Sequence, residues 1–179
     1  MERKRGYLVA AAAVMFLVTA ATLSARASKT ASSTPPRALP ERVAMLRYNP
    51  QFILQAVARR MGIALLPGMP VPAVLLESRT PLERLQAAAE RQWGFRPHVF
   101  VTAYASAGNE IYLIDDATLY ERYKGTPDDS LAHELVHYLQ ANYRKDTFNT
   151  DWSEFEAVAI QTWFRNEYMG ASSPRRKRG

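Results

Sequence analysis

The chain of 179 residues contains no cysteine. Disulfide bonds, thiolate zinc sites, iron–sulfur clusters and cysteine nucleophiles are therefore excluded. A metal ion would have to be bound by histidine, aspartate or glutamate, and the chain has only three histidines. Apolar residues are not lacking, because 47% of the chain is hydrophobic and 11% is aromatic. This composition supports a folded core and excludes a wholly disordered chain.

Basic charge is scarce outside the two ends of the chain, although the formal net charge is +6. Of the 23 basic and 17 acidic residues, four basic residues and one acidic residue precede residue 28, and four more basic residues lie at 175–178. The part between them holds 15 basic and 16 acidic residues. A basic face for phosphates is not expected there, so we predict no nucleic-acid partner.

The first 27 residues have the pattern of a targeting segment. Three basic residues at positions 3–5 precede an uncharged run over residues 6–24, which ends at Ala25-Arg26-Ala27. This small-x-small ending suits signal peptidase, while the run is long for a signal peptide and short for a spanning helix. The segment predicts either a cleaved signal peptide or a retained N-terminal membrane anchor. Both predict export, to the periplasm, to the medium or to the outer side of the membrane.

Two further segments are too polar to contribute to a core. Residues 28–42 are rich in Ser, Thr, Ala and Pro, which predicts a linker. Residues 171–179 carry the terminal basic cluster and predict a disordered basic tail. The folded domain is therefore expected over residues 43–170.

Helix starts are predicted where an N-cap oxygen precedes a proline that fits the first helical turn. The three such pairs are Asn49-Pro50, Thr80-Pro81 and Thr126-Pro127. Thr80 and Glu83 also have the spacing of a capping box. The first two helices are expected to end at Gly62 and Gly94, since glycine commonly follows the last helical residue.

Strand patterns occur in residues 71–77, 99–105 and 110–115. The turn from Ser106 to Asn109 predicts that the last two form an antiparallel hairpin. The element order is then helix, strand, helix, hairpin, helix, helix. This order predicts an α+β fold in which a small antiparallel or mixed sheet packs on helices.

The helix that begins at Thr126 carries an H-E-x-x-H motif. His133 and His137 lie four residues apart, so their rings project from one face on successive turns and can bind one tetrahedral zinc ion. Glu134 lies beside that face, where it can accept a proton from a metal-activated water. The third histidine, His98, is predicted to be a surface residue.

A catalytic zinc ion needs a third protein ligand and one open position. The next predicted helix offers Glu154 and Glu156. Either carboxylate could instead cap that helix, because Asp151 with Glu154, and Ser153 with Glu156, both have capping-box spacing. If Ser153 is the cap, Glu156 is occupied and Glu154 is left for the metal.

An H-E-x-x-H helix followed by a helix with a glutamate resembles the gluzincin metallopeptidases, particularly their compact single-domain, minigluzincin-like members. The motif-level resemblance covers residues 131–161. In that clan the ligand glutamate is often followed three residues later by alanine, and Glu154 and Ala157 match this E-x-x-A spacing. The resemblance therefore favours Glu154 as the third ligand, with Glu156 as the alternative.

The resemblance also implies a function. It implies Zn²⁺ as the cofactor, and Glu134 as the base that takes a proton from water and passes it to the leaving amine. It further implies that an extended peptide substrate pairs with an edge strand beside the active-site helix. In this chain that strand would be Ile111, Tyr112, Leu113 and Ile114.

The sequence thus predicts an exported zinc-dependent metallopeptidase that hydrolyses peptide bonds. Two other interpretations stay open. One is a catalytically inactive zinc-binding or envelope interaction module with the same fold. The other is an envelope structural protein whose histidine pair is incidental.

Overall fold

The computed structural model describes residues 42–144 and 151–170, all of which belong to one compact unit. The predicted targeting segment at 1–27 and the predicted basic tail at 171–179 lie outside the described residues. The same holds for the predicted linker at 28–42, apart from its last residue.

Five α-helices lie within the described residues. They are α1 (Pro50–Arg60), α2 (Leu82–Trp93), α3 (Ala117–Tyr123), α4 (Pro127–Tyr143) and α5 (Asp151–Phe164). A short π-helical segment, Arg165–Met169, continues α5. Within residues 42–144 and 151–170, none of the helices has the length and apolarity needed to cross a lipid bilayer.

The sheet has three short strands, β1 (Ala73–Leu76), β2 (Ala103–Ala105) and β3 (Glu110–Leu113), in the order β1-β3-β2. β1 runs parallel to β3. β2 runs antiparallel to β3, and the two strands form a hairpin. The predicted α+β fold with a small mixed sheet is confirmed, and so is the hairpin.

The central position of β3 corrects one prediction. Ile111, Tyr112, Leu113 and Ile114 were expected to form the edge strand that binds substrate. Instead, β1 pairs with β3 on one side and β2 pairs with it on the other. Because the hydrogen-bonding groups of β3 are used on both sides, a peptide cannot add to this strand.

The strands are shorter than the hydrophobic pattern predicts, and local structure explains where two of them end. Glu77 opens a 3₁₀ turn, Glu77–Arg79, which stops β1. Near the open end of the hairpin, the backbone N–H of Ile114 donates to the side-chain Oγ1 of Thr102 at 3.1 Å. A side chain therefore takes the place of the next backbone partner, and the β2–β3 ladder ends.

The sheet lies between two helical layers. Ile111 and Leu113 of β3 belong to a large core with α1, α4 and α5, whereas Tyr112 points the other way into a smaller core with Leu85 and Ala88 of α2. This alternation follows from the two-residue period of a strand. α4 packs against α1, α5, β2 and β3, so it is the central helix of the larger core.

The helix caps are partly as predicted. Asn49 caps α1 and Thr126 caps α4, each through a side-chain oxygen that accepts a backbone N–H. The predicted capping box of Thr80 and Glu83 is wrong, because Pro81 is the N-cap of α2 and no side chain caps that helix. Thr80 has extended backbone angles at the end of the preceding 3₁₀ turn, one residue too early to cap α2.

Two predicted helix ends are confirmed, and one helix is additional to those predicted. Gly62 and Gly94 follow α1 and α2 with positive φ angles of 68° and 75°, which confirms the predicted helix ends. Helix α3 was not predicted; its N-cap Asp116 accepts from the N–H of Thr118 at 2.9 Å.

The two threonines provide a matched test of the caps. We expect Thr126→Ala to lower the free energy of unfolding by about 1 kcal/mol, because the N–H of Asp129 loses its acceptor. Thr80→Ala should cost less than about 0.5 kcal/mol, since it removes no cap. Urea unfolding of both variants measures the difference, and equal losses would contradict the assignment.

Candidate metal centre

The site is built on α4, a helix that is buried on nearly all sides. Its first turn is held by two buried carboxylates. Asp128 accepts the backbone N–H groups of Arg47 and Tyr48 at 2.8–3.0 Å. Asp129 is fully buried and pairs with Arg165, whose Nε lies 2.6 Å from Oδ2. Carboxylates are favourable at this end because the helix dipole places positive charge there.

α5 packs antiparallel to α4 and is held to it at both ends. Near its C-terminal end, Gln161 donates to Asp129 at 3.1 Å. Near its N-terminal end, Ser153 and Glu156 both accept from Gln140 of α4 at 3.0 Å. Ala157 is fully buried between these points, and its small side chain allows the two helices to approach closely.

Between these two attachments, three side chains bring ligand atoms to one place. The Nε2 atoms of His133 and His137 lie 3.1 Å apart. The Glu154 carboxylate places Oε1 3.2 Å from Nε2 of His137 and Oε2 3.5 Å from Nε2 of His133. His133, His137 and Glu154 therefore form a group that could hold a metal ion.

The donor spacing fits a tetrahedral ion. Nitrogen and oxygen donors bound at about 2.0–2.2 Å from a tetrahedral zinc ion lie about 3.3–3.6 Å from each other. The Nε2–Nε2 separation of 3.1 Å is slightly shorter than this range, and each Nε2 has a different Glu154 oxygen near it, at 3.2 Å for His137 and 3.5 Å for His133. Two imidazole nitrogens that face each other at 3.1 Å repel unless a proton or a cation lies between them, and a metal ion could fill this role.

The two rings differ at their second nitrogen. Nδ1 of His137 lies 3.0 Å from Oε1 of Gln140. Nδ1 of His133 is buried and has no hydrogen-bond partner within the described residues. All the polar contacts of the His133 ring are therefore made through Nε2, the atom that faces Glu154 and His137.

Glu134 lies beside the group without being one of its members. It is buried on α4, and its charge is close enough to raise the pKa of His137. The Glu154 side chain keeps 27% of its surface exposed, whereas that of His133 keeps only 5%. The group is therefore reached by solvent from the side of Glu154.

The charges of the group stabilise one another. Burial by itself raises the pKa of the Glu154 carboxyl, but hydrogen bonds from His133 and His137 outweigh burial and lower this pKa to about 2. Burial by itself lowers the pKa of His137. The hydrogen bond to Glu154 and the charges of Glu134 and Glu154 together outweigh it and raise the pKa.

Of the two predicted third ligands, the structure brings Glu154 to the histidines. Glu156 instead pairs with Arg144 at 2.8 Å and accepts from Gln140, and it is outside the group. His98 is exposed and is not part of the group either. Gln140 was not predicted as part of the site, although a glutamine three residues after His137 lies on the same helical face.

Comparison with protein-family models, with curated proteins and with solved structures finds no match for this chain. The geometry of the metal group and the pattern around it therefore carry the functional interpretation.

The pKa shifts predict how the metal-free protein depends on pH. The stability that Glu154 contributes is lost as the pH falls from its ordinary pKa of 4.5 to about 2, because its folded-state pKa is lowered. The contribution of His137 is lost as the pH rises above its ordinary pKa of 6.5 and through its raised folded-state pKa.

We therefore expect Glu154→Gln to destabilise the metal-free protein most between about pH 4.5 and pH 6.5. Urea unfolding with excess chelator, inside this range and on both sides of it, measures the effect. Glu83→Gln, a substitution of an exposed glutamate on α2, is the control and should show no such dependence. A loss that is constant with pH would contradict the ion pair.

Proposed function

We propose that this protein is an exported zinc-dependent metallopeptidase. The convergence of His133, His137 and Glu154 on one point carries this proposal. Two imidazoles and a carboxylate are a donor set typical of catalytic zinc sites that keep a fourth position open. The proposal of export is supported by the basic and apolar pattern of residues 1–27.

Zinc is the ion that the donor set favours. Imidazole nitrogen suits zinc and other transition metals, whereas Mg²⁺ and Ca²⁺ prefer sites made of oxygen ligands. The pattern of one H-E-x-x-H helix and a glutamate on the next helix supports the same assignment.

The proposed hydrolysis divides its roles between the bound ion and the side chains around it. When bound, Zn²⁺ would act as a Lewis acid that polarises the scissile carbonyl and acidifies the attacking water. His133, His137 and Glu154 would hold the ion. Glu134, one residue after the first ligand, would accept a proton from the water and give it to the leaving amine. Because Glu134 is buried, bulk water has little access to its carboxylate.

Replacing Glu134 tests the assignment most directly. Glu134→Gln should keep one bound zinc ion per chain, because all three ligands remain. The rate of peptide hydrolysis should fall by about 10²- to 10⁴-fold, the typical contribution of a general base. Zinc content by elemental analysis and cleavage of a fluorogenic peptide library measure the two quantities, with Glu83→Gln as the control.

The other outcomes separate the competing interpretations. Hydrolysis that survives in Glu134→Gln would show that Glu134 is not the base. Stoichiometric zinc without hydrolysis by the wild-type protein would favour the inactive zinc-binding module. A wild-type protein that binds no zinc would favour the structural protein with an incidental histidine pair.

A further inference from the structure

Gln140 is a fully buried amide between the two helices that carry the metal group. It lies on α4, one turn after His137. Its Oε1 is 3.0 Å from Nδ1 of His137, and its Nε2 is 3.0 Å from both the carbonyl oxygen of Ser153 and Oε2 of Glu156. One side chain thus contacts a metal-ligating residue of α4 and two residues of α5 that flank Glu154.

The partners of Gln140 determine which way its amide points. The carbonyl oxygen of Ser153 and the carboxylate oxygen of Glu156 can only accept hydrogen bonds, so the amide nitrogen must face them. The amide oxygen then faces His137 and can only accept. Nδ1 of His137 must therefore carry the proton of this hydrogen bond, which leaves a lone pair on Nε2 of the neutral ring.

The carboxylate that orients Gln140 is itself held in place. Arg144 donates to Oε1 of Glu156 at 2.8 Å and to the backbone carbonyl of Met61 at 2.5 Å. His137 thus donates to Gln140 and Gln140 donates to Glu156, while Arg144 donates to the same carboxylate from the other side. Glu156 therefore orients the amide of Gln140, although it lies outside the metal group.

We propose that Gln140 is a positioning residue of the metal centre, which keeps the proton of His137 on Nδ1 and holds α5 where Glu154 reaches the same ion. This inference rests on the metal site in the proposed function. Without the amide, Oε1 of Glu154, 3.2 Å from Nε2 of His137, attracts the proton to Nε2. The proton then occupies the atom that the ion needs, and zinc binding has to displace it.

The test is Gln140→Met, which fills a similar volume but removes both sets of hydrogen bonds. We expect zinc affinity, measured by competition with a chelating indicator, to fall by about 10- to 100-fold, as is typical when the partner of a ligating histidine is lost. In the metal-free protein, at a pH where the ring is neutral, nitrogen NMR should show the His137 proton on Nδ1 in the wild type and on Nε2 in the variant.

Gln161→Met is the matched control. Gln161 also ties α5 to α4, through its 3.1 Å hydrogen bond to Asp129, but among the described residues it makes no hydrogen bond to His133, His137 or Glu154. It should lower stability and leave both the zinc affinity and the His137 proton position unchanged. An equal loss of zinc affinity in both variants would overturn the proposal, because the effect would then come from helix packing in general.

Two further results would overturn the proposal. One is a Gln140→Met variant that binds zinc as tightly as the wild type. The other is a neutral His137 in the wild type that carries its proton on Nε2. If Gln140→Met does not fold, Gln140→Glu takes its place. It keeps an oxygen beside Nδ1 but sets a carboxylate against Glu156, so the Nδ1 proton should remain while zinc binding weakens. Unchanged zinc binding would again contradict the proposal.

Failure of this proposal can be told apart from failure of the proposed function. If the wild-type protein binds no zinc, the proposed function and the metal-positioning part of this proposal both fail, but the proton position of His137 still decides whether Gln140 keeps the proton on Nδ1. If the wild-type protein is active and Gln140→Met binds zinc with the same affinity, the proposed function stands and only the role of Gln140 is disproved.

Discussion

The antiparallel packing of α4 and α5 is the constraint on which the site depends. His133 and His137 share a helical face by their spacing alone, but Glu154 reaches them only because α5 is held against α4 at both ends. Asp129 binds Gln161 and Arg165 at one end, and Gln140 binds Ser153 and Glu156 at the other. The two Nε2 atoms then lie 3.1 Å apart, and each has one Glu154 carboxylate oxygen at 3.2 or 3.5 Å.

This packing puts an unusual number of polar groups inside the larger core. Buried charges and amides are costly unless they are hydrogen-bonded or paired, and most of those on α4 meet this condition through α5 or the segment before α1. In the protein alone, the two Nε2 atoms face each other at 3.1 Å, and Nδ1 of His133 has no hydrogen-bond partner within the described residues. A cation bound at the two Nε2 atoms would relieve the facing imidazoles, so metal binding and stability are expected to be coupled.

What could be predicted from the sequence was mostly local. The i, i+4 spacing of His133 and His137 and the cap at Thr126 depend on one helix, and they are confirmed. The central place of β3 depends on its pairing with β1, which lies more than 30 residues away, and no local pattern reveals it. The partners of Gln140 likewise depend on how α5 approaches α4. The start of α2 was misplaced because Thr80 belongs to a preceding turn.

The central claim is that two imidazoles and one carboxylate bind a single zinc ion. Anomalous X-ray diffraction at the zinc absorption edge, from crystals grown with zinc, tests it directly. The account predicts one strong peak at about 2.0–2.2 Å from Nε2 of His133, Nε2 of His137 and a carboxylate oxygen of Glu154, with a fourth position open. The absence of a peak there, or three side chains that point away from each other, would contradict it.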